Sequence, residues 1–463
     1  MKVTLFGAAG DVTGSAYYVQ IASASVLVDF GSFQGRKEMQ IHNETLPPLD
    51  LKKLDAVILT HAHLDHTGRL PLLVKSGYKG PVYATKATID VAGLILMDSA
   101  KIQGYEIKRK NRKLERTGQP LLKQIYGEEE VKKVMSLFIP VPYNTPCEIA
   151  EGCFVRLHES GHLLGSASIE MVIEENGNKK IIVFSGDIGP DDTAIVKNPE
   201  PFSSADLVFL ESTYGDHNHK PLEETLLEGK EIIDRASVKK GKILVPAFAI
   251  GRSQQLLYYL ARGFHRKTLN KIPVYLDSPM AIKATKVYAG HKELYDDEAA
   301  ELYRTGVIKS DLSGIRVSES AEDSIALNNA EGPCMIIAGG GMCNAGRILH
   351  HLKHNLYKPE TTVMITGYQG TGSLGRKLLE GAKKVKIFGE EVIVRADIAH
   401  MGGLSAHADQ SGLLKWFDAV SDSKPLLVLS HGEDKGRKPL AEIIKKKYNI
   451  KAVLPEYGET IML

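Results

Sequence analysis

Thr60-His61-Ala62-His63-Leu64-Asp65-His66-Thr67-Gly68 brings three imidazoles and a carboxylate together within a few residues. The apolar run at residues 55–60 predicts a buried strand before it, and residues 70–74 predict the start of a helix after it. The histidines therefore lie on a loop where a strand ends and a helix begins, which is where α/β proteins place their chemistry.

The spacing of these side chains suits metal ions. His61 and His63 can face one ion, and Asp65 and His66, further along the turn, can face a second. Imidazole nitrogen with carboxylate oxygen is a donor set for zinc, or for manganese and iron where carboxylates dominate. A polar surface loop with fortuitous histidines is the other interpretation. It is disfavoured because the whole chain has only 16 His in 463 residues.

Composition bounds the class of protein. A chain of 463 residues can form two or three domains, and its net charge of +2 is too small to indicate nucleic-acid binding by itself. The four cysteines form no CxxC pair, which favours a reducing compartment. Neither a signal peptide nor an apolar run long enough for a membrane span is evident. We expect a cytoplasmic protein without a membrane partner.

Three further stretches leave alternatives open. The glycine-rich run at residues 7–15 is a weak dinucleotide signal, because a strand rather than a helix follows, so we interpret it as a turn close to the site. Asp29 either accepts N–H groups of the metal loop or is an ordinary turn residue. The basic end of a predicted helix at residues 86–118 either contacts a phosphate chain or is a solvated face, and the second is favoured.

More candidate ligands follow along the chain. His158 and His162 flank a short polar turn, and Asp187 follows a buried strand at residues 181–184. Glu211 ends another apolar strand. Each of these residues alone would be structural more often than functional, since buried polar groups are normally hydrogen-bonded within the core.

From about residue 215, helices alternate with short apolar strands, which predicts a parallel sheet in a second domain inserted into the first. Small-residue turns end these strands, and such turns at helix N-termini favour anions. No Walker pattern is present, so a nucleotide triphosphatase is disfavoured. We expect a groove that binds the phosphate groups of a substrate along its length. The residues expected to contact phosphate are Arg252, Ser278, Gly340, Gly341, Ser373 and Arg376.

After about residue 392 the sequence again resembles the first part of the chain, where loops rich in histidine and acidic residues follow strands. These loops contain Ser405-Ala406-His407-Ala408-Asp409 and then His431-Gly432-Glu433. Together with the loop at residues 61–66, Asp187, Glu211 and the turn at residues 277–281, these motifs occur in a fixed order over essentially the whole chain. The chain resembles the β-CASP branch of the metallo-β-lactamase superfamily, whose members are nucleases.

The resemblance implies an α/β fold: a metallo-β-lactamase αββα sandwich with an inserted β-CASP α/β domain built on a parallel sheet. Residues 1–208 would form the first part of the metallo-β-lactamase domain, residues 209–391 the inserted β-CASP domain, and residues 392–463 the last part.

The resemblance also implies roles for residues. His61, His63 and His162 would hold one zinc ion, Asp65, His66 and His431 another, and Asp187 would bridge both. The implied cofactors are two Zn²⁺ per chain, with Mn²⁺ as a substitute. The implied catalytic residues are His407, acting as an acid with support from Glu211, together with Asp65.

The implied activity is two-metal hydrolysis of RNA phosphodiester bonds, endonucleolytic and with 5′-exonuclease activity left open. A histidine at position 431 resembles the RNA-processing members, whereas DNA-repair members tend to have an apolar residue there. A DNA-directed β-CASP nuclease and a small-substrate hydrolase of the same fold are the alternatives. The expected partners are RNA and, because homodimers recur in the family, a second copy of the chain.

Overall fold

The computed structural model describes residues 1–35, 37–175, 177–307, 314–367, 369–370 and 372–463. These residues form two compact units. The first contains Met1–Thr193, Lys197–Asn218 and His407–Leu463, and the second contains Ala194–Val196 and His219–Ala406. The second unit therefore interrupts the first. The domain limits at residues 208 and 391 that the sequence suggests remain predictions.

Two sheets form the centre of the first unit. In spatial order, the described strands of one sheet are Thr460–Met462, Lys2–Leu5, Tyr17–Gln20, Ser25–Val28, Ala56–Ile58, Val82–Ala84 and Phe138–Pro140. Those of the other sheet are Ala452–Val453, Leu426–Ser430, Leu207–Glu211, Asn178–Phe184, Ala167–Glu175, Cys153–Glu159 and Cys147–Ala150.

Helices cover the outer faces of the two sheets. The described α-helices of this unit are Lys37–Gln40, Leu64–Thr67, Leu70–Lys75, Lys86–Arg116, Glu128–Leu137, Gln410–Ser421 and Asp434–Tyr448, with a 3₁₀ turn at Ile41–Asn43. None of the described helices is both long and apolar enough to cross a membrane.

Successive side chains of a strand point to opposite faces of its sheet, so they pack into different layers of the core. Val26 and Val28 belong to the core that joins the two sheets, whereas Leu27 belongs to the core beneath the helices. In the other sheet, the rings of Phe184 and Phe209 stack at 4.9 Å inside the shared core. Strands buried on both faces must be apolar throughout, which explains the uninterrupted apolar runs in the sequence. The result is the expected αββα sandwich.

The second unit has a parallel sheet, as the alternation of helices and strands predicts. Its described strands, in spatial order, are Ile315–Val317, Val274–Asp277, Cys334–Gly339, Lys242–Ala247, Thr362–Ile365 and Asp397–His400. A separate antiparallel pair joins Lys384–Ile387 to Glu390–Ile393. The described α-helices are Leu222–Val238, Arg252–His265, Pro279–Gly290, Asp297–Arg304, Ala321–Ala326, Ile348–Asn355 and Leu374–Leu379, with 3₁₀ turns at Lys292–Leu294 and Leu327–Asn329.

Strand direction in the first unit gathers the candidate ligands. The strands Asn178–Phe184, Leu207–Glu211 and Leu426–Ser430 are parallel neighbours, so their carboxyl ends lie at one edge of the sheet. Asp187 follows the first of these strands, and His431 follows the last. Residues that are far apart in sequence therefore reach the same edge.

Candidate metal centre

The histidine-rich loop is shaped by the elements on either side of it. It leaves the buried strand Ala56–Ile58, and the extended backbone of His63 (φ −58°, ψ 152°) leads into the short helix Leu64–Thr67. Asp65 and His66 consequently lie in one helical turn. His61 and His66 are almost completely buried, although imidazole is polar. Buried imidazoles at a strand end require partners.

The first group of donor atoms comes from His61, His63, His162 and Asp187, and all four atoms lie within 4.8 Å of one another. The Nε2 atoms of His61 and His162 each lie 3.1 Å from His63 Nδ1. The same two Nε2 atoms lie 3.5 and 3.6 Å from Asp187 Oδ2. Three imidazoles and one carboxylate oxygen therefore converge.

The second group comes from Asp65, His66 and His431. His431 Nε2 lies 3.3 Å from His66 Nε2 and 3.7 Å from Asp65 Oδ2. His66 Nε2 also lies 3.4 Å from Asp187 Oδ1. Asp187 thus directs one carboxylate oxygen to each group of histidines.

Asp187 is the shared member of the two groups. Its side chain is only 1 % exposed, and Oδ1 has no hydrogen-bond partner in the part of the chain that the structure describes. Burial by itself would raise the pKa of this carboxyl, but His431, His66 and His61 hold the pKa well below its usual value. A buried, ionised carboxylate with an unsatisfied oxygen needs a positive partner.

The distances in the first group fit a tetrahedral metal. Zinc–nitrogen bonds of about 2.0–2.1 Å in a tetrahedral shell place ligand atoms about 3.3 Å apart. The separations of 3.1, 3.1, 3.5 and 3.6 Å in the structure bracket that value. Burial lowers the pKa values of His61 and His63, which keeps their rings neutral and able to offer a lone pair. The residues therefore fit divalent cations.

Asp29 orients the metal loop. Its Oδ2 accepts a hydrogen bond from His66 Nδ1 at 2.7 Å, and its Oδ1 accepts one from the Thr60 backbone N–H at 2.8 Å. The Thr60 hydroxyl also donates to Oδ2 at 2.8 Å. A carboxylate on Nδ1 leaves Nε2 as the lone-pair donor of His66. Of the two alternatives for Asp29, the structure selects support of the loop.

The glycine-rich run at residues 7–15 lies beside this centre, as expected. The Ser15 N–H donates to the carbonyl oxygen of Asp65 at 2.8 Å, and the His431 N–H donates to that of Ala8 at 2.7 Å. A Cβ atom on Gly31 would lie 1.6 Å from the Asp65 carbonyl oxygen, so only glycine allows this backbone approach. The ligand loops are therefore held by main-chain contacts.

His407 lies beside the two groups and is tied to Glu211. Its Nδ1 lies 3.2 Å from both carboxylate oxygens of Glu211 and 3.9 Å from Asp187 Oδ2. Burial lowers the pKa of His407, but Glu211 and Asp187 outweigh that effect and raise it to about 9. The side chain keeps 22 % of its surface exposed, more than His61, His162 or His431.

Two threonines that the sequence analysis did not assign complete this network. The Thr213 hydroxyl donates to Glu211 Oε2 at 2.6 Å and lies 3.2 Å from His431 Nδ1. Thr60 Oγ1 lies 3.1 Å from His61 Nδ1. Thr60 directly precedes His61, and Thr213 lies two residues after Glu211, so both threonines lie just beyond the ends of strands. That position is a weak sequence signal for either residue.

His158 does not join the centre. Its Nδ1 lies 3.3 Å from Glu200, its Nε2 lies 3.7 Å from Glu170, and its ring packs on Phe202 with centroids 4.6 Å apart. It is a hydrogen-bonded structural histidine on the strand Cys153–Glu159. Of His158 and His162, only His162 contributes a donor atom to the two candidate groups.

The six residues expected to contact phosphate belong to the second unit. They follow the carboxyl ends of its parallel strands, as the sequence indicates. Ser278 and Ser373 cap the helices Pro279–Gly290 and Leu374–Leu379, and Arg376 Nε donates to Glu380 at 2.7 Å. Arg252 donates to Gln255 at 2.8 Å.

Gly340 has a positive φ of 116°, and Gly341 follows it. Tyr368 and Thr371, in the turn before Ser373, lie outside the described residues. The role of the six residues in phosphate binding stays a prediction.

Fold and centre together define a metal-dependent hydrolase of the metallo-β-lactamase class. Three family models match the chain: the metallo-beta-lactamase superfamily over residues 9–208, the Beta-Casp domain over residues 253–378, and the Zn-dependent metallo-hydrolase RNA specificity domain over residues 391–455. Ribonuclease TTHA0252 of Thermus thermophilus is 36% identical over 461 residues, covering 100% of both chains. The chain belongs to the β-CASP family of metallo-β-lactamase-fold ribonucleases.

A second curated protein and a solved structure also match the chain. Transcription termination factor FttA of Methanocaldococcus jannaschii is 28% identical, over 98% of this chain and 70% of that protein. A crystal structure of a protein of unknown function from Enterococcus faecalis V583 has a TM-score of 0.58 with 14% identity, covering 100% of this chain and 99% of that one. This structural likeness concerns the fold alone.

Proposed function

We propose that this chain is a zinc-dependent ribonuclease that hydrolyses RNA phosphodiester bonds with two divalent cations. The observation that carries the proposal is the position of Asp187, which directs Oδ2 to His61 and His162 and Oδ1 to His66. A single buried carboxylate shared by two histidine groups matches what a pair of cations requires.

The two groups of donor atoms support a proposed ligand set for each ion. His61, His63 and His162 would hold one ion, Asp65, His66 and His431 the other, and Asp187 both. Imidazole-rich sets of this kind suit zinc, and the carboxylates also admit manganese. When bound, two such cations supply Lewis-acid stabilisation of a phosphoryl group and a nucleophile from water at neutral pH.

The protein's own proton chemistry centres on His407. Glu211 holds Nδ1, which fixes the tautomer and orients the ring. The other ring nitrogen, Nε2, is the atom from which a proton passes to the leaving ribose oxygen as the phosphorus–oxygen bond breaks. Water contributes the new oxygen on phosphorus, so the products are a phosphate monoester and an alcohol. Proton donation of this kind contributes roughly 10²–10⁴-fold to rate.

RNA is favoured over DNA and over small esters. The family model that matches residues 391–455 is described as an RNA specificity domain, and the Thermus thermophilus relative is named a ribonuclease. The parallel sheet of the second unit offers several helix N-termini on one edge, a device that binds phosphates and that a small uncharged ester does not need. We propose endonucleolytic cleavage, with cleavage from the 5′ end as an additional mode.

The decisive experiment measures metal content and cleavage together. One RNA is labelled separately at each end and digested by the zinc-loaded protein and by the variants His61→Ala, Asp187→Ala and His407→Ala. We expect the first two variants to lose bound zinc and all cleavage while remaining folded. We expect His407→Ala to keep zinc and to cleave slowly.

Product sizes from the two labels separate internal cleavage from trimming at an end. DNA of the same sequence, a generic lactam and a thioester serve as parallel substrates. Unchanged RNA turnover in His61→Ala or Asp187→Ala, or turnover of only the lactam or the thioester, would contradict the proposal. Loss of zinc from His407→Ala would contradict its assignment as the acid.

We further propose that the protein forms a homodimer and acts in the cytoplasm. The homodimer is proposed because homodimers recur in the family that the chain resembles. The cytoplasmic location is supported by the four cysteines, which are all unpaired. Size-exclusion chromatography with light scattering tests the homodimer, and a monomeric mass at micromolar concentration would contradict it. Cell fractionation tests the location, and recovery of the protein outside the cytoplasmic fraction would contradict it.

A further inference from the structure

The longest helix, Lys86–Arg116, is buried over only half of its length. Its buried residues end at Ala100, and its remaining residues project as an arm. At 1.5 Å per residue, the portion from residue 101 to residue 116 extends about 22 Å. We refer to residues 101–124, the end of the helix and the segment that returns along it, as the basic arm.

The basic arm is an ordered structure with a defined inner face. Asn111 Nδ2 donates to the Leu122 carbonyl oxygen, and the Leu122 N–H donates to Asn111 Oδ1, both at 2.9 Å. Gln124 Nε2 donates to the Ala100 carbonyl oxygen at 2.6 Å. These bonds hold the returning segment against one side of the helix and leave the opposite side to solvent.

The solvent side carries a single stripe of like charge. Its exposed members are spaced i, i+4, i+7, i+8, i+11 and i+15, which places them within about 100° of the helix circumference. They are Lys101, Tyr105, Lys108, Arg109, Arg112 and Arg116. The acidic residues of this portion are Glu106, on another side of the helix, and Glu115, at the edge of the stripe.

Among the residues that the structure describes, the charges of the stripe have no ion-pair partner. No side chain of its five basic residues makes an ion pair or a hydrogen bond with another described residue. Tyr105, in the middle of the stripe, is 75% exposed. An unpaired basic track that includes an exposed aromatic ring is the combination that binds single-stranded nucleic acid, through phosphate contacts and base stacking.

At its other end, the same helix contacts the loop that carries His162. Thr85 Oγ1 and Thr88 Oγ1 both donate to the Gly165 carbonyl oxygen at 2.7 Å, in the loop that carries His162. Along the helix axis, the helical part of the basic arm begins about 20 Å from Thr88 and ends about 42 Å from it. With a rise of about 3.4 Å per stacked nucleotide, those distances correspond to roughly 6 and 12 nucleotides.

We propose that the basic arm is an RNA-binding surface that holds single-stranded RNA outside the catalytic centre. The stripe contacts the phosphates and Tyr105 stacks on a base. The inference rests on the proposed ribonuclease function, since it places the arm on the same RNA that the centre cleaves. It follows that the arm acts only on RNA long enough to reach it.

The test compares two double variants of the same helix in the zinc-loaded protein. Lys108→Gln/Arg112→Gln removes two charges from the centre of the stripe, and Lys110→Gln/Lys113→Gln removes two from other sides of the helix. With a 30-nucleotide RNA near 0.1 M salt, we expect the stripe variant to lose on the order of tenfold in kcat/KM and affinity, and the control to lose little. The slope of log affinity against log salt should fall by about 1.4 in the stripe variant.

A 5-nucleotide RNA, too short to reach the arm, should be cleaved equally by both double variants. Tyr105→Ala should weaken binding of the long RNA roughly fivefold or more without changing the salt slope. Circular dichroism verifies that the helix is retained, since glutamine is a good helix former.

Three results would overturn the inference. One is an equal loss for the two double variants, and a second is an equal loss on the short and long RNAs. The third is unchanged RNA affinity together with lost binding to phosphatidylserine vesicles, which would assign the stripe to a membrane surface. If the parent protein cleaves neither RNA, the proposed function fails, but equilibrium binding of the long RNA to the same variants still decides the role of the arm.

Discussion

Asp29 and His66 form the buried hydrogen bond that orients the metal loop. Asp29 Oδ2 accepts from His66 Nδ1 at 2.7 Å, and the two side chains are 0% and 2% exposed. The same carboxylate accepts the backbone N–H of Thr60, directly before His61. One aspartate therefore determines both the tautomer of a candidate ligand and the path of the chain that leads to the others.

Asp29→Asn should weaken metal binding while preserving the fold. An asparagine keeps an oxygen for the Thr60 N–H but turns an NH₂ group toward His66 Nδ1. His66 must then accept at Nδ1 and carry its proton on Nε2, the nitrogen that would bind the metal. We expect about a 10–100-fold loss of zinc affinity, measured by competition with a chelating dye.

The control is Asp192→Asn, a second aspartate with a positive φ, of 56° against 57° for Asp29, which lies at an exposed position. It should bind zinc like the parent protein. Equal zinc affinity in Asp29→Asn and the parent would show that this carboxylate does not control the His66 tautomer.

His162→Ala and His158→Ala form a matched pair on one segment. His162 Nε2 belongs to the first donor group, so its loss should remove zinc from that group and reduce RNA cleavage at least a hundredfold. His158 bonds to Glu200 and packs on Phe202, so its loss should lower stability by about 1–2 kcal/mol and spare the metal. Zinc content by mass spectrometry and thermal unfolding separate the two effects. If His158→Ala lost zinc and His162→Ala kept it, the donor and structural roles of the two histidines would be reversed.

This pair shows what local pattern can and cannot reveal. Both histidines lie at the end of one strand, and nothing in their neighbourhood in the sequence distinguishes a ligand from a core residue. The difference arises from contacts with His63 and Asp187, which lie 99 and 25 residues from His162. These contacts exist only in the folded chain, because His63 comes from a loop of the other sheet and Asp187 follows the strand Asn178–Phe184. The prediction of a ligand role for His162 came from the resemblance to a family rather than from periodicity or spacing.

The supporting residues have a weaker sequence signal than the candidate ligands. The loop at residues 61–66 is conspicuous because it concentrates a scarce residue type. Thr60 and Thr213 are among the commonest kinds of surface residue, so their bonds to His61, Asp29 and Glu211 leave no mark on composition. Strands and helices, in contrast, follow from apolar runs and periodicity, and those expectations of layers and of a parallel second sheet are confirmed.

Gly31→Ala should disrupt the centre through the backbone alone. A Cβ atom at this position would lie 1.6 Å from the Asp65 carbonyl oxygen and 2.5 Å from the His66 backbone nitrogen. The ligand loop would have to move away, which also breaks the bond from the Ser15 N–H to Asp65. We expect a loss of about 1–3 kcal/mol in the free energy of unfolding, together with lower zinc affinity, measured by urea titration and zinc competition.

Gly290→Ala is the control for Gly31→Ala. Gly290 ends the helix Pro279–Gly290, and no heavy atom lies within 4 Å of the position of its missing Cβ. Replacing it should raise stability by a few tenths of a kcal/mol to about 1 kcal/mol, because alanine has less freedom in the unfolded chain. Comparable zinc affinity in both variants would mean that the close contact at Gly31 can relax without cost.

Glu159 should make the stability of the protein decline between about pH 5 and pH 8. This carboxyl is 4% exposed, and its burial raises its pKa from 4.5 to about 8, although the Gly161 N–H donates to Oε1 at 2.9 Å. Between those two pH values the folded protein holds a proton that the unfolded chain has released. The free energy of unfolding therefore falls as pH rises from about 5 to 8, by up to about 1.4 kcal/mol per pH unit from this group.

Glu159→Gln removes that titration and keeps an oxygen to accept the Gly161 N–H. Urea unfolding of the parent and the variant at several pH values between 5 and 9 measures the difference. We expect the two curves to separate progressively above pH 5, with the variant more stable at pH 8, because neutral glutamine incurs no cost of burying a charge. Parallel pH profiles would mean that Glu159 is ionised in the folded protein, and that a cationic partner stabilises its charge.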